Sequence, residues 1–313
     1  MNDAFIKKHS IAVHKKPSAF VKNLKKYGWY YAIGLPGLLI LFTYRYLPMG
    51  GLVIAFKDYH VNKGIWGSEW VGLKWFEMLF INGDFAAAFT NTLIISMLKL
   101  LFYFPVPIIL ALLMNELANR YYRRVVQTII YLPHFISWAI LAGIIFTLLS
   151  PQMGILGLFG IKESPLLDGG SFRWLLVFSE VWKDSGWGTI IYLAAISSID
   201  PSLYEAATID GASRFQRVLY ITLPCIAGTF IVLLILKMGH ILNAGFNQVY
   251  MLYNPNVMNV ADILDTYIFR IGISNGRFSL ATAGGLFKSV IGLIMVLMTN
   301  RLAKIFDSDA GII

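Results

Sequence analysis

Long apolar runs broken by short polar stretches set the pattern of this chain. Read against the length needed to cross the hydrocarbon of a bilayer, they predict six spans. These lie at about 30–48, 89–114, 126–149, 174–198, 223–243 and 280–300. The polar stretch between the fourth and fifth runs is unlike a plain connection. "EAATIDGASRFQRVLYITLP" (205–224) sets a glutamate, an aspartate and two arginines among alanines and a glycine. It ends at a proline that opens the next apolar run.

That stretch has helix grammar. Asp200 suits an N-cap and Pro201 the first helical position, so Leu203 to Ile209 can run as a short helix. Asp210-Gly211 predicts a break, because glycine accepts the positive φ that often ends a helix. Asp210 or Ser213 can then cap a second helix from about Arg214, leading into Leu223-Pro224. Ala206, Ala207, Gly211 and Ala212 leave room for another backbone to approach, and Glu205 offers a carboxylate to a partner. Two readings stand on these residues alone: a docking platform, or an interfacial amphipathic connector.

Composition agrees with the pattern. Of 313 residues, 57% are hydrophobic and 14% charged, whereas soluble domains run at about 45–50% and about 25%. The expectation is an all-α polytopic membrane protein. The formal charge of +9 does not point to nucleic acid, since seven lysines crowd into residues 1–29 against one acid, Asp3. Such a run ahead of a first span reads as a cytoplasmic anchor. The apolar stretch after it is too long for a cleaved signal peptide. Fourteen of the 26 lysines and arginines fall on the side of the N-terminus, seven in the other three loops and five within spans. This bias predicts both termini inside and puts the 200–222 loop in the cytoplasm. The chain divides into a basic segment (1–29), the first span with its outer loop (30–86), a larger membrane domain (87–302) and a tail (303–313). The outer loop "GFNQVYMLYNPNV" (245–257) can fold back into the membrane mouth, where irregular backbone is tolerated if protein or water covers it.

Catalytic chemistry is absent from the pattern. "GSEWVGLK" (67–74) has leucine where a phosphate-binding loop needs lysine. "GISNG" (272–276) fits a nucleophile elbow only by letter, because it lies in an outer loop. The five histidines are scattered, and Cys225 is the single cysteine, which excludes an internal disulfide and a cysteine metal cluster. No metal site, cofactor or enzyme activity is expected of this chain.

Polar groups inside spans are costly and mark a pathway or a pairing. Span four carries "EVWKDSGWG" (180–188), with Glu180, Trp182, Lys183, Asp184 and Trp187, and Tyr192 follows. Span five carries Lys237, His240 and Asn243, and span six Lys288. They lie near the midplane or in the outer half, a level that suits a water-filled chamber whose aromatics and hydrogen-bonding tips could receive sugar rings. The competing reading is that the charges pair to hold helices together. Glu180 and Lys183, three residues apart, can pair on one face. Lys99 reads as a packing partner, and His134 as bonding a carbonyl freed beside Pro133.

The order E-A-A, D-G-A and L-P over Glu205, Ala206, Ala207, Asp210, Gly211, Ala212, Ile221, Leu223 and Pro224 resembles the signature loop of bacterial binding-protein-dependent ABC importer permeases of type I. "YLPMGGLVIAFKDY" (46–59), "NTLIIS" (91–96), "LALLMNEL" (110–117), "YLPHFISW" (131–138) and "YLAAISSIDPSLYEAATIDGA" (192–212) are similar to the saccharide branch, associated with lipoprotein-type receptors for oligosaccharides. The resemblance implies that residues 87–302 form the transmembrane domain. It implies a second permease alongside, an ATPase dimer carrying ATP and Mg on separate chains, and an extracytoplasmic binding protein. The ATPases would dock on residues 203–217, with Tyr204, Glu205, Ala206, Ala207, Asp210, Gly211, Ala212 and Phe215 as coupling residues. A carrier coupled to ions through Glu180, Lys183 and Asp184 is the rival from another class.

Overall fold

The computed structural model describes residues 19–306, apart from Asn82 and Met153. The basic tail through Ser18 and the tail from Asp307 therefore lie outside the described residues. Those up to Val53 form one compact unit and those from Ile54 a second.

The first unit is a helix, Ala19–Leu41, interrupted by non-helical backbone at Tyr27 and carrying Pro36. Wider and tighter turns follow it, and the helical run Lys26–Phe56, whose last three residues belong to the second unit, is long and apolar enough to cross a membrane.

In the second unit Gly83–Asn115, Arg214–Gly239 and Phe278–Lys304 are also long and apolar enough to span. The expected third span is not straight. Arg120–Phe135 and Trp138–Leu148 meet at 101°, because Pro133 cannot continue the hydrogen-bond ladder and Ser137 starts a new helix by accepting the Ile140 amide. Counting that bent pair, five segments qualify by length and composition. The remaining expected span, the fourth, is the helix Gly169–Ser197, 29 residues long or about 44 Å at 1.5 Å per residue. Its midsection carries Glu180, Lys183 and Asp184. The one pairing of strands among the described residues is a two-residue antiparallel ribbon, Lys57–Asp58 with Glu69–Trp70.

Two glycines explain how Gly169–Ser197 takes its central place. A Cβ at Gly186 would sit 2.3 Å from the Ile130 carbonyl oxygen, and one at Gly188 would sit 2.9 Å from the Pro107 ring. Hydrogen at these two positions lets both neighbouring segments press against this helix. Three apolar clusters follow. One gathers Leu141, Phe172, Leu176, Val249 and Ile263. Another gathers Phe85, Tyr267 and Leu280. The third, toward the 200–222 loop, gathers Phe104, Tyr192 and Ile226. The outward faces carry large apolar side chains such as Leu101, Ile129 and Leu293, which in a membrane are solvated by lipid. The 245–257 segment does fold inward, with Gln248, Val249 and Leu252 fully buried.

Candidate functional site: a capped loop and a polar groove

At one end of the second unit the 200–222 loop is built as its residues dictate. Asp200 accepts the Ser202 amide at 2.9 Å, with Pro201 in the first turn of the helix Pro201–Ile209. The Ser202 amide and hydroxyl hold the Asp200 carboxyl below its usual range. Gly211 turns the chain at φ +78° with nothing within 4 Å of where a Cβ would stand. Of the two expected caps, Ser213 is used. It accepts the Gln216 amide while its own amide donates to Gln216 Oε1 at 2.8 Å, a reciprocal capping box. The helix then runs without a break past Pro224, because a widened turn over Val218–Thr222 precedes the proline.

Struts fix the loop to the body. The Tyr204 hydroxyl meets Thr222 Oγ1 at 2.9 Å, Arg217 donates to Thr208 Oγ1 at 3.0 Å, and Arg214 reaches Glu116 Oε2 at 3.2 Å. Tyr204 is thereby half-buried. Glu205, Ala206, Asp210 and Gly211 are exposed, and Ala207 and Ala212 are partly so. Phe215 is 74% exposed and Ile209 87%. Ile209 escaped the sequence reading, since an apolar residue in a helix reads first as buried. The result is a rigid tip of small residues bearing two unpartnered apolar side chains and two acids.

Deep between the helices lies a second assembly. Lys99 and Lys237 share Glu180: Lys99 Nζ binds one carboxylate oxygen and Lys237 Nζ lies 3.5 Å from the other. Lys99 is buried and donates further to the Ala244 carbonyl at 2.7 Å and to Gln248 Oε1. Gln248 in turn donates to the Leu176 carbonyl and Ser179 Oγ. The expected Glu180–Lys183 pair does not form. Lys183 Nζ instead donates to the carbonyls of Pro133, His134 and Ile136 at 3.2, 2.7 and 2.6 Å. It thus satisfies the backbone freed by the bend, a role the sequence reading gave to His134. His134 Nδ1 faces Asp184 Oδ1 at 3.2 Å, and its ring stacks on Trp187 at 5.2 Å. Competition decides this: three oriented carbonyls satisfy a lysine's three N–H donors, and Glu180 already has two cations.

Cavities converge beside this network. The largest, 820 Å³, is lined by Asn243, Phe246, Asn247, Asp265, Phe269 and Thr282 among others, and by Lys288. Lys288 pairs with Asp265 at 2.5 Å. Smaller cavities of 210, 400 and 250 Å³ adjoin, and His240 lines all three. Asn243 lines the largest cavity and two of these; Lys237, the 210 and 250 Å³ ones. Trp187 and Tyr192 line the 250 Å³ one. So Trp187, Tyr192, Lys237, His240, Asn243 and Lys288 line a set of neighbouring cavities, here called the groove, that share His240 or Asn243. Lys183 is buried at the bend, Asp184 is engaged with His134, and Trp182 is exposed on the outside of its helix. Phe246, Asn247, Asp265, Phe269 and Thr282 were missed; the only signal was the odd polarity of "GFNQVY" in an apolar setting.

The sequence pattern of the family described as binding-protein-dependent transport system inner membrane component matches residues 103–310. The chain belongs to that family. It is a permease subunit, and the ATPase activity of such importers resides in a separate chain. Among relatives, Protein LplB of Bacillus subtilis (strain 168) is 47% identical over 299 residues, covering 94% of each chain. The polygalacturonan/rhamnogalacturonan transport system permease protein YteP of the same strain is 46% identical over 284 residues, covering 89% of this permease and 88% of that one. In three dimensions the permease is similar to a subunit of a bacterial alginate ABC transporter solved in complex with an alginate pentasaccharide-bound periplasmic protein. There the TM-score is 0.85 and identity 42%, over 93% of this permease and 99% of that chain.

Proposed function

We propose that this permease, paired with a second one, forms the route by which an oligosaccharide delivered by an extracytoplasmic binding protein enters the cell. The observation that carries the reading is the 820 Å³ cavity and its lining, within the about 300–1,000 Å³ of small-molecule sites. Phe246 and Phe269, with ring centroids 5.6 Å apart, offer flat apolar faces to sugar C–H groups. Asn243, Asn247 and Thr282 offer amides and a hydroxyl to sugar hydroxyls. The similarity to a polygalacturonan/rhamnogalacturonan permease and to an alginate transporter supports the same cargo class.

The chain crosses the membrane six times with both termini inside, so that the 203–217 tip faces the ATPases. ATP binding would close the ATPase dimer and turn the tip, and the struts to Thr222 and Glu116 would pass that rotation to the spans. Such coupling works only if ATP favours one of two packings over the other. The test is uptake into proteoliposomes holding the complete importer, with receptor and an oligogalacturonate outside and ATP inside. Uptake that requires ATP and receptor, and that falls when Asn243 and Asn247 become leucine, supports the reading. Uptake without ATP that collapses with an ionophore overturns it.

A further inference from the structure

The shared carboxylate leaves a charge unbalanced. Lys99 and Lys237 bring two positive charges to Glu180, which brings one negative. The other charges nearby offset one another: Lys183, held only by backbone carbonyls, brings one positive charge against the one negative charge of Asp184, which lies against the His134 ring, and Asp265 pairs with Lys288. An ammonium without a counter-charge is unfavourable in a low-dielectric interior. The two lysines are not equivalent. Lys99 is 3% exposed and held by Glu180, the Ala244 carbonyl and Gln248. Lys237 has only the looser contact to Glu180 and the face of Tyr103, whose centroid lies 3.9 Å from its Nζ. Its side chain is 28% exposed and lines two neighbouring cavities. The excess charge therefore sits on the cation that the groove can reach. An aromatic ring stabilises an ammonium without neutralising it, so Lys237 is held in place but left open to an anion.

We propose that Lys237 is a specificity-determining residue that receives a carboxylate of the cargo, so that the permease prefers acidic sugars, those bearing uronic acids, over neutral ones. The proposal rests on the groove being the cargo route. A uronate entering beside His240 would complete the charge balance by a charge-assisted hydrogen bond to Lys237. A neutral sugar would leave the imbalance in place and forgo that bond.

The experiment uses the complete importer in proteoliposomes and two probes, trigalacturonate and its fully methyl-esterified form, which differ in charge but share a backbone. Wild type should carry the acid form faster. Lys237→Met should slow it by roughly 10- to 150-fold, the range for a hydrogen bond to a charged group, so that the ratio of acid to ester uptake falls by that factor. Lys237→Arg should restore most of the preference. Lys237→Met leaves the Glu180–Lys99 pair balanced, so the variant should fold. Equal slowing of both probes by Lys237→Met, or wild-type uptake that is indifferent to esterification, overturns the proposal. So does failure of wild type to carry either probe. A thiol label at Asn243→Cys, in a Cys225→Ala background, tells this failure from failure of the groove reading. Labelling blocked by whichever sugar is carried keeps the groove as the route even if charge selection fails. Labelling indifferent to every sugar removes the groove and the proposal together.

Discussion

Replacing Glu180 with glutamine should destabilise this permease more than removing either of its lysine partners. The substitution keeps the shape of the side chain and deletes the one negative charge between Lys99 and Lys237. Two ammonium groups then face each other, one of them almost wholly buried. Breaking a buried ion pair from one side costs about 3–5 kcal/mol, which corresponds to a fall in unfolding temperature of roughly 6–20 °C for a domain of this size. Lys99→Met removes one of the two cations and leaves a balanced Glu180–Lys237 pair. Its cost is the donor lost to the Ala244 carbonyl and Gln248, about 1–3 kcal/mol. The double variant Glu180→Gln with Lys99→Met leaves Lys237 alone at the groove wall, where water reaches it, and should recover part of the stability lost by Glu180→Gln. Thermal unfolding of the purified importer, followed by the fraction remaining monodisperse, ranks the three. Glu180→Gln unfolding with wild type, or Lys99→Met unfolding earlier than Glu180→Gln, would refute the charge argument, because both outcomes make Glu180 an ordinary polar residue.

Gly186→Val should prevent assembly of a stable fold, since its Cβ would collide with the Ile130 backbone at 2.3 Å; yield of monodisperse protein reads this directly. Lys183→Met should loosen the bend at residues 133–137, seen as faster hydrogen exchange at Ile136 and Trp138, because three carbonyls lose their donor. Ser213→Ala removes a capping box and should cost about 0.5–2 kcal/mol of local stability, visible as exchange confined to 213–217. The carboxyl of Asp200 titrates below its usual range in the fold. Its capping contribution is therefore present above the ordinary carboxylate pKa and is lost as pH falls through the depressed value. Exchange in 201–209 should rise on acidification through that window, and Asp200→Asn should flatten the dependence.

The loop was legible because its instructions are local. Asp200, Pro201, Gly211 and Ser213 each act on the next few residues, and each does in the fold what its chemistry requires. The interior was legible only as a list of polar residues at one depth. Whether Lys183 would meet Glu180 depended on where the segment after Pro133 would leave its carbonyls, which no periodicity encodes. The bend turned one lysine into a backbone donor and freed Glu180 for Lys99 and Lys237. Lys99 was read as a packing partner; nothing in "SMLKLL" shows that it would anchor a carboxylate 81 positions away. The aromatic lining from Phe246 and Phe269 was hidden for a similar reason. It comes from short helices that look like loop in sequence and are buried only because the segment folds inward.

The claim that matters most is that the exposed 203–217 tip is where the ATPase docks. Co-expression of the permease with its partner ATPase, followed by purification through the permease, tests it with wild type, Glu205→Ala and Gly211→Asp. Gly211 stands at φ +78° in open space, so aspartate there strains the turn and adds charge without touching the packed interior. Wild type should bring the ATPase with it, and the variants should lose either the ATPase or the stimulation of ATP hydrolysis by the loaded receptor. Full recovery and equal stimulation in all three would mean that residues 205–211 only connect two spans, and the coupling mechanism would fall.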